Sequence, residues 1–232
     1  MVKLTIPASP HPIPDEDVIS DIYGAPVFSP DGKSIPFGDL VTNEDGIVNV
    51  VVIFSKYTTS ANSGLGPAID SQSVRHFFCT CDQDYVRSLM LYLTPTVLTT
   101  APAGPSKLII IGCGDPSLIP SYATETSCEF PIYTDPAGYI YEKLQMKSSL
   151  TVSTTPSYAR QSVLGLVIRS MKQMVLSGYD GWKGGKFQQN GGELIFREKK
   201  CVWMHRMESM GGHLPAEELV KALLGDKDQH TT

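Results

Sequence analysis

Apolar residues along this chain follow two rhythms, and the switches between them mark the expected elements. Ile47 to Phe54 (IVNVVVIF) is a short β-branched and aromatic run between Asp45-Gly46 and Ser55, the pattern of a central strand buried on both faces. Val74 to Phe78 (VRHFF) resumes extended, apolar character. From Asp82 to Pro95 the period changes, with Val86, Leu89, Met90 and Leu93 on one helical face. Lys107 to Gly112 (KLIIIG) and Phe130 to Thr134 read as further strands. A helix is expected from Ser117, with Pro120 tolerated in its first turn, and another after Asp135-Pro136. Leu164, Val167, Ile168, Met171 and Met174 space a long amphipathic helix over 157–176, ending at Gly178. Glu193–Arg197 and Cys201–Arg206 read as a hairpin joined by a charged turn at Glu198–Lys200. A last helix opens at Pro215, carries Leu219, Val220, Leu223 and Leu224 on one face, and ends at Gly225.

The punctuation between these runs divides the chain. Residues 1–45 hold Pro7, Pro10, Pro12, Pro14, Pro26, Pro30 and Pro36, which predict an extended arm without helix and a short hairpin around Asp31-Gly32. Residues 55–73 are rich in Ser, Thr and Gly, show no apolar period, and predict a long exposed loop inserted into a domain spanning 46–225. A glycine-rich loop is expected over 178–192, and residues 226–232 form a polar tail. Parallel β-α-β units followed by an antiparallel hairpin and a terminal helix are the order of an α/β thioredoxin-like fold, a central mixed β-sheet flanked by helices, here with an N-terminal extension and a long inserted loop. Periodicity gives the elements and does not by itself choose this fold.

Composition narrows the partners. With 232 residues, 41% of them hydrophobic, the chain can bury a sizeable core. A net charge of -5 and the lack of a basic stripe argue against nucleic acid and anionic lipid, and no run approaches the roughly 18 apolar residues that span a bilayer. The N-terminal sequence lacks the apolar core of a secretory signal, so the expected location is cytoplasmic. Five cysteines, an odd number spread through a chain of this size, point to free thiols rather than a secreted disulfide framework.

Cys79 and Cys81 carry the candidate chemistry. Both lie where a strand is expected to end and a helix to begin. Unpaired N–H groups and the positive end of the helix dipole there stabilise a thiolate, the form that attacks peroxides and disulfides. The bland alternative is that each is a small buried hydrophobe. Cys113, Cys128 and Cys201 are expected to be structural thiols. His205 and His213, with Cys201, lack a fourth ligand at zinc-site spacing.

The blocks VRHFFCTCDQDYVRSLM, LIIIGCGDPSLIPSYATETSCEFPIYTDP, WKGGKFQQNGGELIF and CVWMHRM, in that order, resemble the fungal peroxiredoxin-like (AhpC/TSA-type) thioredoxin-fold proteins. The likeness runs from about residue 46 to 224 once the 55–73 loop is skipped. It implies a thiol-dependent oxidoreductase with Cys79 as nucleophile and Cys81 as partner. The family's second cysteine falls on Asp82, its peroxide-orienting Thr on His76, and its late Arg on the segment Gln189-Asn190-Gly191-Gly192. His76 reads either as a base for Cys79 or, three residues upstream on a strand, as a residue of the opposite face. Asp82 suits a first helical turn, yet its charge opposes an adjacent thiolate.

The expected function is therefore antioxidant reduction of a peroxide or disulfide through Cys79, needing no cofactor and no metal, with thioredoxin or glutathione as reductant. Three alternatives stand beside it. The fold could be adapted to tailor an organic metabolite in a fungal secondary-metabolite pathway, or could serve as a non-catalytic binding module. Gly112-x-Gly114 with Asp135 about 20 residues on could instead form a nucleotide site of an S-adenosylmethionine-dependent methyltransferase. If 55–73 is an exposed insertion, its deletion should leave a soluble chain with one cooperative thermal transition, because closure entropy depends weakly on loop length. Loss of folded protein on deletion would show that the segment packs.

Overall fold

In a computed structural model, residues 7–41, 47–53, 80–100, 105–147, 190–209 and 212–224 are described. The expected strand 74–78, the loop 55–73, the helix 157–176 and most of the 178–192 loop lie outside them. So do Cys79, His76 and Gln189.

A seven-stranded mixed sheet organises the described residues. Its strands are β1 (Pro26–Phe28), β2 (Ser34–Pro36), β3 (Val48–Ile53), β4 (Ser106–Gly112), β5 (Ile132–Thr134), β6 (Gly192–Arg197) and β7 (Lys200–Arg206), in the order β2-β1-β5-β4-β3-β6-β7. β3, β4 and β5 run parallel. β6 pairs antiparallel with β3, and β7 with β6, while the β1–β2 hairpin adds antiparallel to the β5 edge.

Alternation along the strands divides the interior in two. Val48, Val50 and Val52 of β3, with Leu108 and Ile110 of β4 and Ile195 of β6, face one core. That core is completed by α3 (Thr80–Tyr92), α4 (Pro95–Thr100), α5 (Ile119–Thr126) and α7 (Ala216–Leu224). Val51, Ile53, Ile109, Ile111, Leu194 and Phe196 face the other, closed by α1 (Glu16–Tyr23), α2 (Phe37–Leu40) and α6 (Tyr139–Lys143). Every residue of β3 is buried, the polar Asn49 included, as in a strand covered on both faces.

The N-terminal region departs from expectation. Residues 16–23 form a helix where the prolines predicted none, because Pro14 and Pro26 flank that segment rather than interrupt it. Ile19 and Ile22 bury one face of this helix, and the Gly24 N–H bonds back to Asp21. The hairpin at Asp31-Gly32 forms as expected, with Gly32 at φ +78°. The arm before α1 lies along the outer edge of β7. Ser9 Oγ bonds both the carbonyl (2.9 Å) and the N–H (3.0 Å) of Met204, and His11 Nδ1 accepts the Arg206 N–H at 3.1 Å. Side chains thus cover an edge that would otherwise present unpaired backbone groups.

Other differences are local. The helix expected at Ser117 begins at Ile119 after one 3-10 turn, Pro116–Leu118, which Asp115 caps by accepting the Ser117 N–H at 2.9 Å. The hairpin turn shortens to Glu198 and Lys199, both at positive φ (51° and 59°), the geometry of a two-residue turn that follows the twist of its strands. Lys200 already belongs to β7.

Ile110 sits fully buried mid-strand in β4, between Val52 of β3 and Ile132 of β5. Replacing Ile110 by Ala should destabilise the fold by about 2–5 kcal/mol through lost burial and the cavity left behind. Urea unfolding should show a lower midpoint with an unchanged m value.

Candidate functional site at the start of helix α3

Helix α3 starts at Thr80, so the residue bonded to its first member is Cys79, and Cys81 lies in its first turn. The sequence read a helical pattern from Asp82 to Pro95, and α3 spans Thr80–Tyr92 among the described residues. Cys79 itself, and the side chain of Cys81, lie outside the described residues. Within the same turn Asp82 is fully buried, as are Gln83 and, nearly so, Asp84. Asp84 pairs with Arg87 at 3.0 Å, and Arg87 also donates to the Glu125 carbonyl at the end of α5, which ties the two helices together.

Asp82 leads into a buried polar chain. Its carboxylate contacts His213 Nε2 at 3.2 Å, and the other ring nitrogen, Nδ1, contacts Glu193 Oε1 at 2.6 Å. The second oxygen of Glu193 contacts His205 Nδ1 at 2.6 Å. Asp82, Glu193 and His213 have no exposed side-chain surface, and His205 retains 16%. The ring of Tyr85, one turn along α3, stacks on His213 with centroids 4.2 Å apart and planes 7° from parallel. That flat, close contact favours a cationic ring.

Backbone geometry explains the meeting of these groups. On β6, Leu194 points into the α1 side of the sheet, so Glu193 points to the α3 and α7 side. Its antiparallel partner on β7 is His205. His213 enters from the segment just before α7, whose first turn is closed by the Leu219 N–H bonding to Pro215. Gly192 fits beside them because it has no side chain. A Cβ there would lie 2.2 Å from the His205 carbonyl oxygen.

The charges settle each other. Burial, the strongest single influence on His213, favours its neutral form. The charge of Glu193 and the bonds to Asp82 and Glu193 outweigh burial and raise its pKa to about 9. Burial likewise favours neutral Glu193, but the charge of His213 and the hydrogen bonds from both histidines lower its pKa to about 2. Near neutrality these shifts favour an imidazolium at His213 beside the Glu193 carboxylate.

The remaining cysteines lie in different surroundings. Cys113 and Cys201 are buried, and Cys128 is partly buried. Burial pushes the thiol of Cys128 up to about 11 and that of Cys201 up to about 12, so neither is ionised near neutrality. The glycine motif after β4 does not present a free acid for a ribose. Asp135 accepts the backbone N–H groups of Gly138 (2.9 Å) and Ile140 (2.7 Å) and so fixes the start of α6, while Asp115 caps its own turn.

Comparison with known proteins decides the family. The sequence profile described as AhpC/TSA antioxidant enzyme matches residues 93–209, just over half of the chain. The chain belongs to that family. Peroxiredoxin-like 2C of Bos taurus is 22% identical over 221 residues, covering 92% of this chain and 85% of the relative. The Mus musculus protein of the same name is 24% identical over 198 residues, covering 84% and 76%. Among solved structures, the bacterioferritin comigratory protein of Xanthomonas campestris, studied for its alkyl peroxide reduction activity, superimposes with a TM-score of 0.50. It has 10% identity and covers 93% of this chain and 97% of its own. That likeness shows the thioredoxin-like peroxiredoxin fold expected from the order of elements.

Sequence reasoning weighed Asp82 as an electrostatic opponent of the thiolate and set His213 aside because, with His205 and Cys201, it lacks a fourth zinc ligand. It missed that Asp82 and His213 meet, and it did not single out Glu193. A charged residue in the alternating strand GELIFR, at a position facing the core, was the available signal. The network also predicts a pH profile of stability. A raised His213 pKa contributes stability below about 6.5, lost as pH rises through about 9. A lowered Glu193 pKa contributes above about 4.5, lost as pH falls through about 2. Thermal midpoints should therefore peak between about pH 4.5 and 6.5. Glu193→Ala should cost about 3–5 kcal/mol at pH 6 and remove the acid limb.

Proposed function

We propose that the chain is a thiol-dependent peroxidase of peroxiredoxin type, with Cys79 as the nucleophile. The single observation that carries this reading is the position of Cys79, bonded to the first residue of a 13-residue helix, in a member of the AhpC/TSA antioxidant-enzyme family. Free N–H groups and the helix dipole at such a start favour a thiolate. The alkyl peroxide reduction studied in the Xanthomonas fold relative supports a small peroxide as substrate.

In the proposed reaction the Cys79 thiolate attacks the terminal oxygen of a hydroperoxide. An S–O bond forms, the O–O bond breaks, sulfur is oxidised to a sulfenic acid, and the departing oxygen leaves as an alcohol after taking one proton. A second thiol then displaces water to give a disulfide, which an external dithiol of thioredoxin type, or glutathione, reduces. Cys81 is the nearest second thiol in sequence. Two residues is a short span for a disulfide, so resolution by an external thiol fits at least as well. The expected setting remains the cytoplasm. A tailoring role on a larger organic metabolite draws support from the departures at His76 and Asp82 alone.

Cys79→Ser should abolish peroxide consumption coupled to an external thiol, whereas Cys81→Ser should only slow turnover. In the native protein iodoacetamide at mildly acidic pH should label Cys79 ahead of Cys113, Cys128 and Cys201, as read by peptide mass spectrometry. Full activity in Cys79→Ser would end the thiol reading.

A further inference from the structure

The arm before α1 is held to the sheet by side chains. Ser9 Oγ meets the carbonyl and the N–H of Met204, Arg206 Nη1 donates to the Pro12 carbonyl at 3.0 Å, and His11 Nδ1 accepts the Arg206 N–H at 3.1 Å. The last of these bonds fixes a tautomer. A backbone N–H can only donate, so Nδ1 carries no proton, and the proton of neutral His11 sits on Nε2, 3.9 Å from Glu208. When the ring gains a second proton, the only nitrogen left to take it is Nδ1. Two N–H groups then face each other across the contact that held the arm.

The surroundings of His11 oppose that second proton. Its ring meets that of His205 of β7 edge-on at 5.4 Å, and Glu193 of β6 stands behind His205. Arg206 of β7 reaches the arm at Pro12 and the Leu144 carbonyl after α6. Glu208, beyond β7, favours the proton, but it is exposed and pairs at 2.6 Å with Lys147 from the segment after α6. Burial first, then His205 and Arg206, hold the His11 pKa below its usual 6.5. A lowered histidine pKa means that the contact contributes fully above about pH 6.5 and is lost as pH falls below it. The arm also encloses space. Pro7, Ala8 and Pro10 wall a cavity of about 300 Å³ against Trp203 of β7 and against Leu214 and Ala222 at α7, and Trp203 is only 2% exposed.

We propose that the N-terminal arm is an acid-released strap whose trigger is protonation of His11 at Nδ1, and that its release bares the outer edge of β7 and opens the cavity beside Trp203. The arm contributes no strand to the sheet, so release is local and leaves the seven-stranded order intact. It does not depend on the chemistry at Cys79.

Amide hydrogen exchange in the natural protein reads the contact. Protection of the Met204 and Arg206 amides, corrected for the intrinsic exchange rate at each pH, should fall about tenfold between about pH 7.5 and pH 5, the worth of roughly one backbone hydrogen bond, while the amides of β3 keep theirs. Glu208, held below its usual range by the bond from Lys147, stays ionised over this interval. Imidazole nitrogen shifts measured by NMR in the same samples should show His11 titrating as protection is lost. Protection that stays level while His11 titrates overturns the proposal, and so does a loss that follows His205 instead. In His11→Asn the side-chain oxygen stands close to the place of Nδ1 and accepts at every pH, so this variant should keep at pH 5 the protection that the natural protein loses. An equal loss in that variant, with unchanged far-UV circular dichroism, rejects His11 as the trigger.

Discussion

Two carboxylates and an imidazole buried away from solvent, Asp82, Glu193 and His213, can be housed only as a set. Any one of them alone in this interior would carry several kcal/mol of uncompensated desolvation. Together they join helix α3, strand β6 and the segment before α7 at distances of 2.6 and 3.2 Å. The first turn of α3 is therefore fixed by charge as well as by packing.

The sheet makes this possible. Because β3 is buried on both faces, both neighbouring layers are anchored to it, and β6 pairs with it in a register that brings Glu193 opposite Val52. A shift of one residue would turn Glu193 to the α1 side and leave His213 and Asp82 facing apolar groups. The two apolar residues that follow Glu193, Leu194 and Ile195, hold that register by filling opposite cores. Hydrophobic packing thus sets the geometry in which the polar chain operates.

The outer edge follows the same economy of contacts. Ser9 and His11 of the arm cover backbone groups of β7, the strand that carries His205. The arm, the edge strand and the outer end of the buried chain form one continuous set of contacts. A segment that reads as mere extension in sequence lies against His205, whose side chain keeps 16% of its surface exposed.

Sequence alone determined the elements whose signal is local. β3 and β4 were legible from short, mainly apolar runs, α3 and α7 from one-sided periodicity, the β6–β7 hairpin from two short strands about a charged turn, and the α/β order from their succession. It misjudged α1, because proline counts say less than proline positions. Only the tertiary structure decided what lies around the first turn of α3. Asp82 and His213 are 131 residues apart in sequence, and a contact made by chain folding across a sheet leaves no periodic trace. Their meeting depends on strand register and on helices converging from distant segments, which pairwise spacing in a sequence does not encode.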